Sequence, residues 1–237
     1  MIEYRKLPKG NELIGKLGLG MGGIQNTTPD EIEAVIREAV ANEINLFDLC
    51  AGGASVYAPF GKAIMNVHEK VFFQLYFGAV YNADGEYGRS RNLETIRRTF
   101  GWEMKTLDTD YADFGFLHCA GADSDIEDIM KKDIFDYVRE LKSKGIIRHI
   151  GFSSHKPSVA DRLIDTGPID MMMFSINPAY DLERGDKMAH DHYSKLTVRA
   201  DNCISCGHFT SRCPFSVDQQ GRTKKITIFQ PIKELKS

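Results

Sequence analysis

The chain has no uninterrupted apolar run approaching the roughly eighteen residues a membrane-spanning helix requires, and no large excess of charge of either sign. Its opening, MIEYRKLPKG, is charged from the third residue and lacks the apolar core of a secretory leader, so a cytoplasmic protein is expected, with no membrane partner. Thirty basic against thirty-three acidic side chains leave a formal charge of -3, which gives nucleic acid no electrostatic reason to bind. The balance is uneven. From Arg184 onward ten Lys or Arg face five Asp or Glu, so the tail carries +5 and the preceding part -8, yet no basic run is interleaved with aromatics as a nucleic-acid arm is. Cysteine is also scarce. Five in a reducing compartment do not make a disulfide framework, and three of them fall between Cys203 and Cys213, which points to metal.

What is present is enough apolar sequence, 42%, to bury a substantial core. Short and nearly continuous apolar runs recur at LGLG near Leu17, NLFDLC at Asn45, VFFQLY at Val71, DFGFLH at Asp113, IRHIGFSS at Ile147 and IDMMMFSIN at Ile169. Strands covered on both faces have this character. Between them lie helical patterns. PDEIEAVIREAVANE has Thr28 or Asp30 as its cap, and IEDIMKKDIFDYVRELKSKG reads as one helix ending in basic residues and Gly145. The regular succession predicts right-handed parallel crossovers in an α/β fold, and six strands suit an open sheet or a barrel. YRKLPKGNELIGKL predicts a hairpin turning between Pro8 and Asn11. After Asn177 the alternation stops, placing a boundary near residue 183 between a β/α domain (1–183) and a tail (184–237) whose segment to Arg199 is a linker.

The glycines of GLGMGG, Gly18 to Gly23, match G-x-G-x-x-G in letters only. A dinucleotide fingerprint opens directly into a helix, whereas IQNTT intervenes before Pro29. Gly20 therefore reads as part of a strand-end turn. Polar residues at the C-terminal ends of parallel strands are better site candidates, because ligands bind at that rim in barrels and open sheets alike. Asp48 ends the second strand, His118 the fourth, and Ser153, Ser154 and His155 the fifth.

The segments EYRKLPKGNELIGKLGLG, NLFDLC, GKAI, DYADFGFLH, LKSKGIIRHIGFSSH and INPAY resemble the aldo-keto reductases, specifically a bacterial branch with a ferredoxin-like cysteine run near its C-terminus. The resemblance implies a (β/α)8 barrel, of which this sequence supplies six units, with an N-terminal β-hairpin. It further implies a nicotinamide cofactor, usually NADPH, with Gly20, Ser153 and Ser154 as contacts, and hydride transfer to a small carbonyl substrate. The family's Asp, Tyr, Lys and His surround the substrate oxygen, and Asp48 and His118 fall where it places its Asp and His. The Tyr position lands on Gly53, with Tyr57 nearby; the Lys position matches Tyr76; the Gln that often holds the nicotinamide amide matches Met173. Tyr57 and Tyr76 are thus the phenols available to a diminished catalytic set. Two missing barrel units would leave sheet edges for a second copy of the chain to cover.

In CISCGHFTSRCP, Cys203, Cys206 and Cys213 occupy ferredoxin ligand spacings, Phe209 stands at the remaining position, and Pro214 follows the last cysteine. His208 is the local fourth donor. The run suits a [4Fe-4S] cluster or, with His208, tetrahedral zinc. Two readings follow: an NADPH-dependent aldo/keto oxidoreductase with an associated cluster, and a non-enzymatic iron-sulfur or zinc module on a degenerate barrel.

Overall fold

A computed structural model describes residues 2–174 apart from positions 51, 166 and 168. Chain contacts separate Met1–Phe174 from Ser175–Ser237. The boundary at 183, the tail, and the metal candidates Cys203, Cys206, His208 and Cys213 lie outside the described residues.

The first two strands, β1 (Tyr4–Lys6) and β2 (Leu13–Gly15), form the expected antiparallel hairpin, with Arg5 opposite Ile14. Then come β3 (Leu19–Gly20), α1 (Pro29–Ala41), β4 (Leu46–Asp48), α2 (Tyr57–Ile64), β5 (Phe72–Phe77), a second small hairpin of β6 (Ala79–Tyr81) and β7 (Tyr87–Arg89), and α3 (Leu93–Leu107). The order continues with β8 (Ala112–Leu117), α4 (Asp123–Lys131), α5 (Ile134–Ser143), β9 (Ile147–Ser154), α6 (Pro157–Asp165) and β10 (Met171–Phe174). Strands β3, β4, β5, β8, β9 and β10 lie side by side in chain order and are all parallel. This is six consecutive staves of a curled (β/α) sheet, the fold class expected from the apolar runs.

Strand alternation sorts the buried residues into two cores. Phe47, Phe73, Leu75, Leu117, Ile150 and Phe152 pack beneath the helices with Ile32, Ile36, Phe60, Ile96 and Phe100. The opposite face gathers Tyr76, Phe114 and Phe116, with Leu46, Phe72 and Met171 against them. Ile14 and Leu7 of the first hairpin join this inner cluster, so the hairpin stops its N-terminal end. Glu12 meets the His149 ring at 3.0 Å, and Lys9 reaches the Ile169 carbonyl at 2.6 Å.

Local chemistry explains the helices. Thr28 caps α1 through a capping box: its hydroxyl accepts from the Glu31 amide, and the Glu31 carboxylate accepts from the Thr28 amide. Helices α2 and α3 cross closely at Gly61, where a Cβ would stand 2.7 Å from the Leu107 carbonyl oxygen. The single helix expected over IEDIMKKDIFDYVRELKSKG is two. It breaks at Asp133, whose φ of 55° is left-handed, a conformation Asp tolerates better than most non-glycine residues. The end at Gly145, with φ of 72°, is as expected.

The β6–β7 hairpin is unforeseen from the strand runs. Its turn is built on Asn82, whose side-chain oxygen accepts from the amides of Asp84 and Glu86 at 3.0 and 2.9 Å, with Gly85 at φ 79°. The hairpin leans on the loop after β4: the Tyr87 amide donates to the Gly52 carbonyl at 3.2 Å, Ala54 donates to Gly85 at 2.8 Å, and Gly53 bridges to Glu86.

Candidate active site

Asp48, Tyr76 and His118 come together at the C-terminal ends of three adjacent strands, β4, β5 and β8. The Asp48 side chain is fixed by the Cys50 amide, which donates to it at 2.9 Å. Tyr76 is 4% exposed and projects into the inner face, where its phenol accepts from Gln74 Nε2 at 2.6 Å and approaches the Met173 sulfur at 3.3 Å. Burial, and then the Asp48 charge, push that phenol far above its ordinary range, so Tyr76 stays protonated. Its ring meets His118 edge-on, with centroids 5.2 Å apart.

His118 is 6% exposed. Burial, reinforced by the charges of Arg91, Arg89 and His155, brings its imidazole down to about 4, so it is neutral at physiological pH. Its Nε2 lies 2.6 Å from the Tyr87 hydroxyl, while its Nδ1 is buried without a partner. The backbone that presents it is held firmly. The Arg91 guanidinium donates to the carbonyls of His118 and Cys119 and pairs with Asp125 at 3.1 Å, and the Cys119 amide donates to Ser153 Oγ at 2.8 Å. These contacts sustain the left-handed φ of 48° at Cys119.

The remaining sequence candidates divide. Ser153 is half-buried, its oxygen accepts from Cys119, and its own hydrogen is left to donate. The Ser154 hydroxyl is committed instead to the Ala120 carbonyl at 2.6 Å, as expected for the neighbour of an inward-facing strand residue. Gly20 ends β3 with nothing within 4 Å of where a Cβ would sit. Tyr57 is not at the strand ends. It begins α2, is 1% exposed, donates to the buried Glu103 carboxyl at 2.8 Å, and touches the Tyr81 hydroxyl at 3.1 Å. The short 3-10 turn Ala54–Val56 carries it into the helix layer, among Tyr81 and Trp102. Cys50 and Cys119 are half-buried at the rim, and burial pushes the Cys50 thiol up to about 12, leaving it inert.

Three groups in this arrangement escape the strand-end reasoning: Gln74, Arg91 and Tyr87. The last two arrive with the second hairpin, whose Asp84-Gly85 turn was the available signal. Outside the inner face, a cavity of about 1000 Å³ runs along that hairpin, lined by Gly53, Tyr81, Glu86, Arg98 and Trp102 among others; it shares no residue with the Asp48, Tyr76 and His118 set. Among the described residues, no group of three His, Cys, Asp or Glu side chains is arranged to hold a metal ion, and no helix is long and apolar enough to cross a membrane.

The aldo/keto reductase family model matches residues 16–190. The chain belongs to the aldo/keto reductase family. Solved aldo-keto reductase structures share its fold. An aldo-keto reductase from Bacillus halodurans, in its holo form, superposes with a TM-score of 0.65 at 20% identity over 80% of this chain, and the match spans 64% of that protein's length. A glycerol dehydrogenase from Gluconobacter oxydans gives 0.61 at 15% identity, over 94% of this chain and 74% of its own. An aldo/keto reductase from Brucella melitensis gives 0.56 at 20%, over 81% and 70%. No curated protein matches. Asp48 and His118 stand at the ends of β4 and β8, the two strands that flank β5 and its Tyr76.

Proposed function

We propose that this protein is an NADPH-dependent oxidoreductase acting on a small carbonyl compound, with Asp48, Tyr76 and His118 around the reacting oxygen. The observation that carries the reading is the convergence of these three side chains at the strand C-termini of an aldo/keto reductase domain. The residues present fit the nicotinamide end of the cofactor. His118 Nδ1 and Gln74 Oε1 are buried polar atoms without partners, Ser153 retains a free donor hydrogen, and the space above Gly20 is open. Ser153 is the group suited to the carboxamide, and Gly20 to close approach of a ring. When bound, reduced nicotinamide supplies a hydride to the carbonyl carbon.

The side chains of this chain then have separable tasks. His118, neutral and held by Arg91 through its carbonyl, presents its Nε2 2.6 Å from the Tyr87 hydroxyl at the wall of the site. Asp48 and Tyr76 form a second wall, the carboxylate keeping the phenol protonated and oriented. The inner aromatic residues Phe114 and Phe116 close the floor and exclude water. The Cys203, Cys206 and Cys213 run supports an associated iron-sulfur cluster as a further electron carrier. The test uses anaerobically isolated protein, assayed for iron, sulfide and zinc, then for NADPH consumption with a panel of aldehydes and ketones. The expected result is carbonyl-dependent consumption together with iron and sulfide. Zinc in place of iron removes the cluster from the reading, and no consumption with any carbonyl removes the enzyme.

A further inference from the structure

The geometry points to Tyr87 as the proton donor of the reaction, a phenol delivered by the inserted β6–β7 hairpin into the place that Gly53 leaves without one. This deepens the reading above and rests on it.

Three observations carry it. The first is contact: the Tyr87 hydroxyl lies 2.6 Å from His118 Nε2, the shortest link between His118 and any phenol here, and its ring packs on the inner cluster with Cys50 and beside Tyr76. The second is the way the hairpin is attached. The Tyr87 amide bonds the Gly52 carbonyl, Gly53 bridges to Glu86, and Ala54 donates to Gly85, so the hairpin lies along the loop whose own residue lacks a side chain. A Cβ on Gly53 would stand 3.5 Å from the Gly85 carbonyl, so the two loops are in contact along this stretch. The third is electrostatic. Burial, reinforced by Cys50, raises the Tyr87 phenol above its ordinary range, and Arg89 and Arg91 offset part of that rise. They provide the neighbouring positive charge that Tyr76, in its strand position, cannot.

The alternatives are less suited. Tyr57 is bound to Glu103 under the helices, and Tyr76 is more deeply buried and faces a carboxylate. Tyr87 is half-buried, so one edge remains in contact with water.

The step balances as follows. A hydride furnished by reduced nicotinamide forms the new C–H bond, the carbonyl π pair moves onto oxygen, and that oxygen takes the Tyr87 proton. With His118 donating from Nε2 to the phenol oxygen, the phenolic hydrogen is free to point at the substrate. The phenolate regains a proton from water at its exposed edge, and the products are an alcohol and the oxidised nicotinamide.

The test compares wild type with Tyr87→Phe. The expected result is a fall in kcat of at least about a hundredfold with NADPH affinity unchanged, and loss of the alkaline limb from the pH-rate profile. In the protein without cofactor, the His118 Nε2 resonance moves in the variant while Nδ1 does not. Equal turnover and an unchanged pH profile in the two proteins overturn the assignment of Tyr87 while leaving the enzyme reading intact, as does an unmoved Nε2 resonance. Absence of carbonyl-dependent turnover in wild type overturns both. Should Tyr87→Phe fail to fold, fluorotyrosine at position 87 serves instead: the alkaline limb shifts to lower pH if Tyr87 is the donor and stays in place if it is not.

Discussion

Glu103→Gln resists denaturant better than the parent protein above neutral pH, the gain growing from little at acid pH to on the order of 5 kcal/mol at about pH 9. Glu103 is 1% exposed, lodged between α3 and α2, and burial pushes its carboxyl from 4.5 to about 8 despite the hydrogen bond from Tyr57. The folded protein therefore keeps this proton up to about pH 8, whereas the unfolded chain loses it above 4.5. Because the unfolded state binds fewer protons between those values, stability falls as pH rises through that window. Gln retains the oxygen that accepts from Tyr57 and has nothing to ionise, so it abolishes the slope. Urea unfolding across pH is the measurement, and a parent and variant with parallel pH profiles contradict the account.

His118→Ala loses about 10²–10³-fold in kcat while NADPH affinity changes little, because it removes the neutral imidazole at the reacting end of the site. Truncation also leaves the Tyr87 hydroxyl without its partner, so the variant and Tyr87→Phe are non-additive. The pH dependence has a definite direction. His118 ordinarily titrates near 6.5 and is brought down to about 4. The wild-type rate accordingly holds steady from neutral pH down through 6.5 and falls only as pH approaches 4. Stability behaves in step: the unfolded chain takes up a proton below 6.5 that the folded one refuses until about 4, so the fold weakens as pH falls through that interval. A rate that collapses already near 6.5 contradicts a buried, neutral His118.

Much of the fold was legible because parallel strands covered on both faces are written as short apolar runs. All six runs became strands, β4 ending at Asp48 and β8 one residue before His118. The misses have local causes. Asp133 breaks a helix without Gly or Pro to announce it, since an Asp in the left-handed region looks, in sequence, like one more helical acid. Tyr57 is nine residues past the end of a recognisable strand at Asp48, and only the 3-10 turn of Ala54–Val56, invisible in the periodicity, decides that it faces Glu103 and not Asp48. Tyr87 was missed for the opposite reason. Its turn signal, Asp84-Gly85, was in view, but the three-residue strands beside it are too short to register as apolar runs. The match at Tyr76 placed the residue on its strand, while the burial and the Asp48 charge that keep it protonated depend on the curl of the sheet.

The central claim is that the rim formed by Gly20, Asp48, Tyr76, His118 and Ser153 receives a nicotinamide. Titration of NADPH into the purified full-length chain, followed by nucleotide fluorescence and by the melting temperature, tests it most directly. Saturable binding with an upward melting shift, weakened when Ser153 is replaced by Ala, is the result expected. A melting temperature and fluorescence indifferent to NADPH at millimolar concentration contradict it.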